Sequence, residues 1–285
     1  MKALITGANG QLGRALQAIA PKGNDLIAAT HADLDIGDRA AVRGFVARHR
    51  PDAIFNAAAY TAVDKAESEE DSARAINADA VGHLAEAARE LGARLIHVST
   101  DFVFDGQRGT PYRPADPTAP IGAYGRTKLA GEIAAGPEAL IVRTAWVYGA
   151  TGHNFVRTML RLMAEHDEVR VVADQIGTPT FAPHLAAALW ALYAAGARGI
   201  HHYTDSGAAS WYDFAVAIQE EALALGLLTR AVPVIPIATA DYPTPARRPS
   251  YSVLDKAATF ALLGGPAPHW RDGLRRMLKD VKDHG

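Results

Sequence analysis

The sequence predicts a doubly wound parallel α/β sheet followed by a smaller α/β unit. Three observations carry that prediction. Short apolar runs alternate with longer amphipathic ones through the first half of the chain. A glycine-rich turn, GANGQLG at 7–13, follows the first apolar run and opens the first helical one. The second half is less regular and holds a stretch, 232–249, with five prolines.

The elements follow in order. Residues 2–6 (KALIT) form a buried-strand pattern, and a helical run continues from the glycine turn to Ala20. Residues 25–29 (DLIAA) predict a second strand, and Asp38 an N-cap for a helix to about His49. Residues 53–56 (AIFN) predict a third strand. A long alanine-rich helix is expected over 71–91, a fourth strand over 94–99, a helix over 124–135 and a fifth strand over 139–143. Strands that alternate with helices imply parallel pairing with helices on both faces. Later come helices over 154–165, 183–195, 210–225 and 270–282, with strands over 169–172 and 199–204. The expected division is a dinucleotide domain at 1–148, to which 183–204 can return, and a substrate domain made mainly of 149–285. There are no repeats or low-complexity tracts.

Bulk properties narrow the class. The chain has 285 residues, 49% of them hydrophobic and 21% charged, as in a globular protein. It has no cysteine, which excludes disulfides and thiolate metal sites. A net charge of -2 gives no general attraction to nucleic acid. MKALITGANG does not read as a signal peptide, and no run approaches the about 18 apolar residues of a membrane span. The expectation is a cytoplasmic protein with no membrane and no nucleic-acid partner.

The glycine turn binds phosphate for a physical reason. An anion needs close backbone N–H donors and the positive end of a helix. Glycine lets the backbone turn tightly and approach it. Gly7, Gly10 and Gly13 lie between a strand and a helix at the start of a βαβ unit, which points to a dinucleotide. An acid about 20 residues on marks a ribose that carries a free 2′-hydroxyl. Here the second strand ends Ala28, Ala29, Thr30, His31, without one, and Asp33 and Asp35 come slightly later. The reading is NADPH, with NADH possible.

The fourth strand ends Ser99, Thr100, Asp101, at the edge where parallel sheets bind ligands. Tyr124 and Lys128 stand four apart on the next helix, on one face. Hydride transfer to a carbonyl leaves an alkoxide that needs a proton. A tyrosine can supply it, and a nearby lysine cation favours the phenolate. A threonine hydroxyl can hold the substrate oxygen. Alone, a Tyr–Lys pair is most simply a packed ring and a solvated ammonium; after a dinucleotide turn and Thr100 it reads as an active site.

The segments GANGQLG (7–13), NAAAYTAVDKAE (56–67), STDFVFDG (99–106) and YGRTKLAGE (124–132) resemble the extended short-chain dehydrogenase/reductases. RTAWVYG (143–149), NFVRTML (154–160), DQIGTPT (174–180), SWYDFA (210–215) and YPTPARRP (242–249) narrow the resemblance to the dTDP-4-dehydrorhamnose reductase family. It covers nearly the whole chain. The resemblance implies a Rossmann-type fold and reduction of the C4 ketone of a dTDP-sugar. It implies catalytic roles for Thr100, Tyr124 and Lys128. It places Gly7, Gly10, Gln11, Leu12 and Gly13 at the pyrophosphate, Asp35 and Ile36 at the adenine side, and Ala58, Ala59, Tyr60 and Thr61 along the cofactor. Thr100, Asp101 and Trp146 match substrate contacts. Phe102 stands where the family often has tyrosine. Some members hold magnesium between subunits through glutamates; none is matched here, so magnesium and the choice of monomer or homodimer stay open.

Other residues admit two readings. His201 and His202 are adjacent, so on a strand they face opposite sides, and no metal-binding spacing occurs; no metal ligand is assigned. Trp146, Trp211 and Tyr212 read singly as core; Trp146 is favoured as a sugar contact because it follows the fifth strand. Asn154 is a helix cap or an amide beside the sugar nucleotide. Arg247 and Arg248 are solvated, or one of them meets the diphosphate; Arg247 is taken as that residue. The acidic run ESEED at 67–71 reads as a solvated helix approach. Two rival functions remain. One is a redox-neutral nucleotide-sugar epimerase or dehydratase, although Phe102 stands where dehydratases place a second acid. The other is a non-catalytic regulatory subunit of the methionine adenosyltransferase beta type.

Overall fold

The computed structural model describes residues 1–284. In chain order the first half holds β1 (Lys2–Thr6), α1 (Gln11–Ala18), β2 (Asp25–Ala29), α2 (Arg39–His49) and β3 (Ala53–Asn56). Then come α3 (Val63–Ala66), α4 (Glu70–Arg74), a π-helical turn (Ala75–Asp79), α5 (Ala80–Leu91), β4 (Arg94–Thr100), α6 (Ala123–Ala135) and β5 (Leu140–Thr144). The second half holds β6 (Val147–Tyr148), α7 (Phe155–Glu165), β7 (Val169–Val172), β8 (Ile176–Gly177), β9 (Thr180–Phe181), α8 (Ala182–Ala194) and β10 (Gly199–His202). It ends with β11 (Ala209–Ser210), α9 (Trp211–Ala224), β12 (Val234–Ile237), α10 (Ala257–Leu262) and α11 (Trp270–His284).

Six strands form one parallel sheet in the order β10-β5-β4-β3-β1-β2. β2 lies to one side of β1 and β3 to the other, so the winding reverses at β1. The crevice outside the carboxyl ends of β1 and β3 is therefore the place for a ligand. Alternation along the strands loads both faces. Ala3, Ile5 and Phe55 join Leu16, Leu185, Leu189 and Trp190 of α1 and α8 on one face. Leu4 and Ile54 join Val42, Val46, Val81 and Leu84 of α2 and α5 on the other. A third core, with Val156, Met159, Phe214, Trp270 and Leu274, lies under α7, α9 and α11.

The expected strands 2–6, 25–29, 53–56 and 169–172 appear with those bounds, while β4 runs one residue further and β5 is shifted by one residue from the expected 139–143. Asp38 caps α2, its Oδ1 accepting from Ala40 N at 2.8 Å and Ala41 N at 3.0 Å. The single helix expected over 71–91 is instead interrupted by the π turn. An extra residue per turn is invisible to a 3.6-residue periodicity count, and such bulges cluster at functional places. Among the described residues no helix is long and apolar enough to cross a membrane.

Candidate active site

The site begins at the glycine turn. Gly7 has φ +64, which favours glycine, and a Cβ there would lie 2.7 Å from Ala58 N. A Cβ on Gly13 would lie 2.2 Å from Gly7 O. The turn and the start of the 57–61 loop are thus pressed together by the absence of side chains. Gly10 caps α1 without a side-chain bond to its first turn. The N–H groups that open a helix lack intrahelical acceptors and attract an anion, so the turn fits a diphosphate. Leu12 is buried. The Gln11 side chain looks elsewhere: its Nε2 donates to His153 O at 3.4 Å, and its Oε1 accepts from Asn154 Nδ2 at 2.9 Å.

Ile36 is buried after β2, and exposed Asp35 accepts from Gly37 N at 2.9 Å. The strand end lacks its own acid, but a carboxylate reaches it. Asp33 folds back to accept from Thr30 N at 2.9 Å and Thr30 Oγ1 at 2.6 Å. This exposed side-chain bond back across three residues puts that charge beside the strand end, which spacing along the chain does not reveal.

The next loop is half-buried at Ala58, Ala59 and Tyr60, and exposed at Thr61. Asn77, inside the π turn, holds it: its Oδ1 accepts from Tyr60 N at 2.9 Å, and its Nδ2 donates to Tyr60 O at 3.1 Å and Thr127 Oγ1 at 3.2 Å. One amide therefore ties the cofactor-side loop to α6. Sequence reasoning missed Asn77, because an amide within an alanine-rich helix carries no signal.

Thr100 ends β4. Its Oγ1 accepts from Phe102 N at 3.2 Å and donates to Asp101 Oδ1 at 3.0 Å. Tyr124 lies in the first turn of α6, its ring edge-on to Phe102 at 5.5 Å, and shares a hydrogen bond with Thr100. The acidic run, expected to be a solvated approach, sets this helix. Glu67 Oε1 accepts from Ala123 N at 2.8 Å, and Glu70 binds Arg126 at 2.7 and 3.0 Å. Glu67 thereby caps α6 from a distant segment, which no local pattern encodes.

Lys128 is buried one turn on. Its Nζ donates to Val98 O at 2.6 Å and lies 3.5 Å from His97 Nε2. Burial pulls Lys128 down to about 8, with Glu132 acting the other way. Burial pushes Tyr124 up to about 12, the Thr100 hydrogen bond lowers it, and the Asp101 charge raises it. Lys128 does not lower Tyr124 as expected here, its ammonium being turned toward Val98 O of β4. Behind Lys128, Arg143 and Glu132 form a buried pair at 2.7 Å, and Ser99 Oγ donates to Glu132 Oε1 at 2.5 Å. This network clamps α6 to β4 and β5.

Asp101 is 1% exposed, and burial raises it to about 6 against hydrogen bonds from Ser252 and Thr100. Its Oδ2, and Thr144 Oγ1 on the strand residue in register with Thr100, have no hydrogen-bond partner among the described residues. Buried polar atoms without partners are costly and mark a place where something else binds.

The second-half residues divide. Trp146 adopts φ +47 and stacks on Trp211 with ring centres 3.5 Å apart. Asn154 caps α7, accepting from Arg157 N at 3.1 Å, while its amide hydrogens go to Gly149 O at 2.8 Å and Gln11. Both hydrogens of that amide are taken within the chain, and its oxygen serves as the cap. Arg247 is exposed and makes no side-chain bond among the described residues; Arg248 takes the interior position. Arg248 pairs with Asp64 at 2.8 Å and borders a cavity of about 580 Å³ that Phe155, Trp211, Gln175 and Tyr242 also line. Two adjacent arginines in one loop cannot be told apart from sequence. Among the described residues, no group of three or more histidines and acids is placed to hold a metal.

Fold and site together define a nicotinamide-dependent oxidoreductase of the short-chain dehydrogenase/reductase class. Comparison with known proteins names the group within it. The chain belongs to the family described as RmlD substrate binding domain, whose model matches residues 1–283. It is 49% identical over 286 residues to a dTDP-4-dehydrorhamnose reductase of Mycobacterium tuberculosis, covering 96% of this chain and 91% of that one. It is 42% identical over 295 residues to the enzyme of that name from Burkholderia thailandensis, covering 99% of each. A solved dTDP-4-dehydrorhamnose reductase from Bacillus anthracis, in complex with NADP, superposes with TM-score 0.93 at 38% identity, covering 98% of this chain and 99% of that one.

Proposed function

We propose that this protein reduces the C4 ketone of dTDP-4-dehydro-L-rhamnose to give dTDP-L-rhamnose, in the cytoplasm. One observation carries the reading: Thr100, Tyr124 and Lys128 converge at the carboxyl end of β4, beside a glycine turn shaped for a diphosphate. Bound in the crevice, NADPH supplies the hydride. Asp33 at the end of β2 adds a charge that a 2′-phosphate does not favour, so NADH is accepted as well. The first-turn N–H groups of α1 hold the pyrophosphate, and the 58–61 loop, steadied by Asn77, lies along the cofactor.

Thr100 orients the ketone oxygen. Tyr124 donates its phenolic proton to that oxygen as the alkoxide forms. Lys128, once its ammonium turns from Val98 O, lends positive charge to the phenolate left behind and holds a ribose hydroxyl. Asp101, with its free Oδ2, and Thr144 receive sugar hydroxyls. The cavity beside Arg248 holds the nucleotide, and Arg248 serves the diphosphate. In this reading residues 1–148 with 183–204 carry the cofactor, and most of 149–285 carries the sugar nucleotide. Magnesium has no role in these steps, and a monomer or a homodimer would both support them.

Tyr124→Phe tests the reading. Turnover of the ketosugar should fall by about 100-fold or more, while cofactor binding, followed by fluorescence, stays intact. Unchanged turnover in that variant would sink the mechanism.

A further inference from the structure

The buried chain Thr6–Asn56–His97–Lys128 links the glycine-turn strand to the active-site lysine, and the functional reading leaves it unused. Asn56 Oδ1 accepts from Thr6 Oγ1 at 2.7 Å and from Ala58 N at 3.3 Å. A backbone N–H can only donate, so that side of the amide is the oxygen. The Asn56 Nδ2 therefore faces His97 Nδ1, 3.1 Å away. An amide nitrogen only donates, so Nδ1 accepts. A neutral imidazole that accepts at Nδ1 carries its proton at Nε2. That Nε2–H points at Lys128 Nζ, 3.5 Å away.

A fixed N–H donor treats the two states of a lysine differently. It can bond to the lone pair of an amine, but it meets an ammonium donor to donor. We propose that His97 is a positioning residue for Lys128: its locked tautomer favours the uncharged amine and so sets the pH at which Lys128 gives up its proton.

Burial already lowers Lys128, and His97 acts on top of it among few charged neighbours. His97 is fully buried, and burial with the nearby Lys128 charge holds its pKa well below the ordinary value, so the ring stays neutral. On α6 itself Glu132 faces Lys128, but it is bound by Arg143 of β5 and by Ser99. Tyr124 lies one turn before, with Asp101 beyond it. Glu70 of α4 is occupied by Arg126 on the exposed side, and His83 and Glu86 of α5 border the outer groove with Ala130 and Ile133. Val98 O is the one acceptor that anchors the ammonium in β4.

The functional consequence rests on the reading of Lys128 as Tyr124's partner: the alkaline limb of kcat/KM then follows Lys128, and His97 sets it. Two substitutions reverse the donor without removing bulk. His97→Gln can present an oxygen to Lys128. Asn56→Asp keeps oxygens for Thr6 and Ala58 N but accepts from Nδ1, which moves the ring proton and turns Nε2 into an acceptor.

The experiment is NMR on the full chain labelled at histidine and lysine. Wild-type His97 should show the neutral Nε2–H form throughout, and the Lys128 titration should move up by about one pH unit or more in both variants. The alkaline limb of kcat/KM should move with it. An Nδ1–H form in the wild type overturns the proposal, as do folded variants in which Lys128 titrates where it did before. The NMR readouts need no turnover. Absent ketosugar reduction with these shifts intact would therefore count against the proposed function and not against the role of His97.

Discussion

The two walls of the crevice are built by different means. The sheet wall, from the glycine turn to α6, is set by backbone against backbone. Gly7 and Gly13 leave no room for a Cβ, and one on Gly131 would lie 2.0 Å from Asn77 O. Buried polar chains, Arg143–Glu132–Ser99 and Thr6–Asn56–His97, fill the remaining positions. The opposite wall is assembled from aromatic faces, Trp146 on Trp211 and Phe155 beside it, from the proline-rich 242–248 loop, and from one partly exposed ion pair. It lines a cavity of about 580 Å³. Chemistry at a fixed ketone needs groups held within fractions of an ångström. Recognition of a nucleotide needs volume, a flat aromatic face and a charge. Under the proposed function, the difference follows from those two tasks.

The comparison can be broken by substitutions, and the largest effect should fall on the rigid wall. Gly131→Ala drives a methyl into Asn77 O in the π turn. Loss of about 3 kcal/mol or more is expected, with turnover falling alongside, as read by denaturant unfolding and kinetics. A stable, active variant would show that the wall can yield.

Asp101→Asn should separate stability from activity. Folded Asp101 titrates near 6 rather than 3.8, so folding favours the protonated acid. Wild-type stability on this account falls as pH rises through that window and stays reduced above it, by about 3 kcal/mol for roughly two pKa units. Asparagine carries no such charge. Relative to wild type, the variant's melting temperature should rise between pH 4 and pH 8, while kcat/KM drops. A melting difference independent of pH would rule out the buried-carboxylate account.

The adaptable wall should respond in affinity. Arg248→Ala should raise KM for the sugar nucleotide about 10-fold, as loss of a charge-assisted bond predicts, with kcat little changed. A fall in kcat instead would place Arg248 with the chemistry. The smallest effect is expected at Glu67→Ala, which uncaps α6 from the outside. About 1 kcal/mol of stability should go, as for other lost caps; no change would mean that the cap contributes nothing.

The same contrast governs what the sequence could tell. The alternating strands and helices, the bounds of β1, β2 and β3, and the Asp38 cap were all readable, because each is a local pattern. Tyr124 and Lys128 could be paired from i,i+4 spacing alone, whereas the contact of Tyr124 with Thr100 needs the packing of α6 on β4. The groups that aim them were not readable. Glu67 reaches Ala123 across 56 residues, and Asn77 works only because the helix bulges there. Asn154 was readable as a cap, but its bond to Gln11, 143 residues away, was not. In the PTPARRP loop only the folded chain separates Arg248, on Asp64, from exposed Arg247.

The central claim is hydride delivery to C4 of the sugar. It is tested most directly with NADPH deuterated at the transferring position, dTDP-4-dehydro-L-rhamnose as substrate, and NMR of the product. The account predicts one deuterium at C4 of dTDP-L-rhamnose for each cofactor oxidised. Product without deuterium at C4, or sugar turnover with no net oxidation of the cofactor, would contradict it.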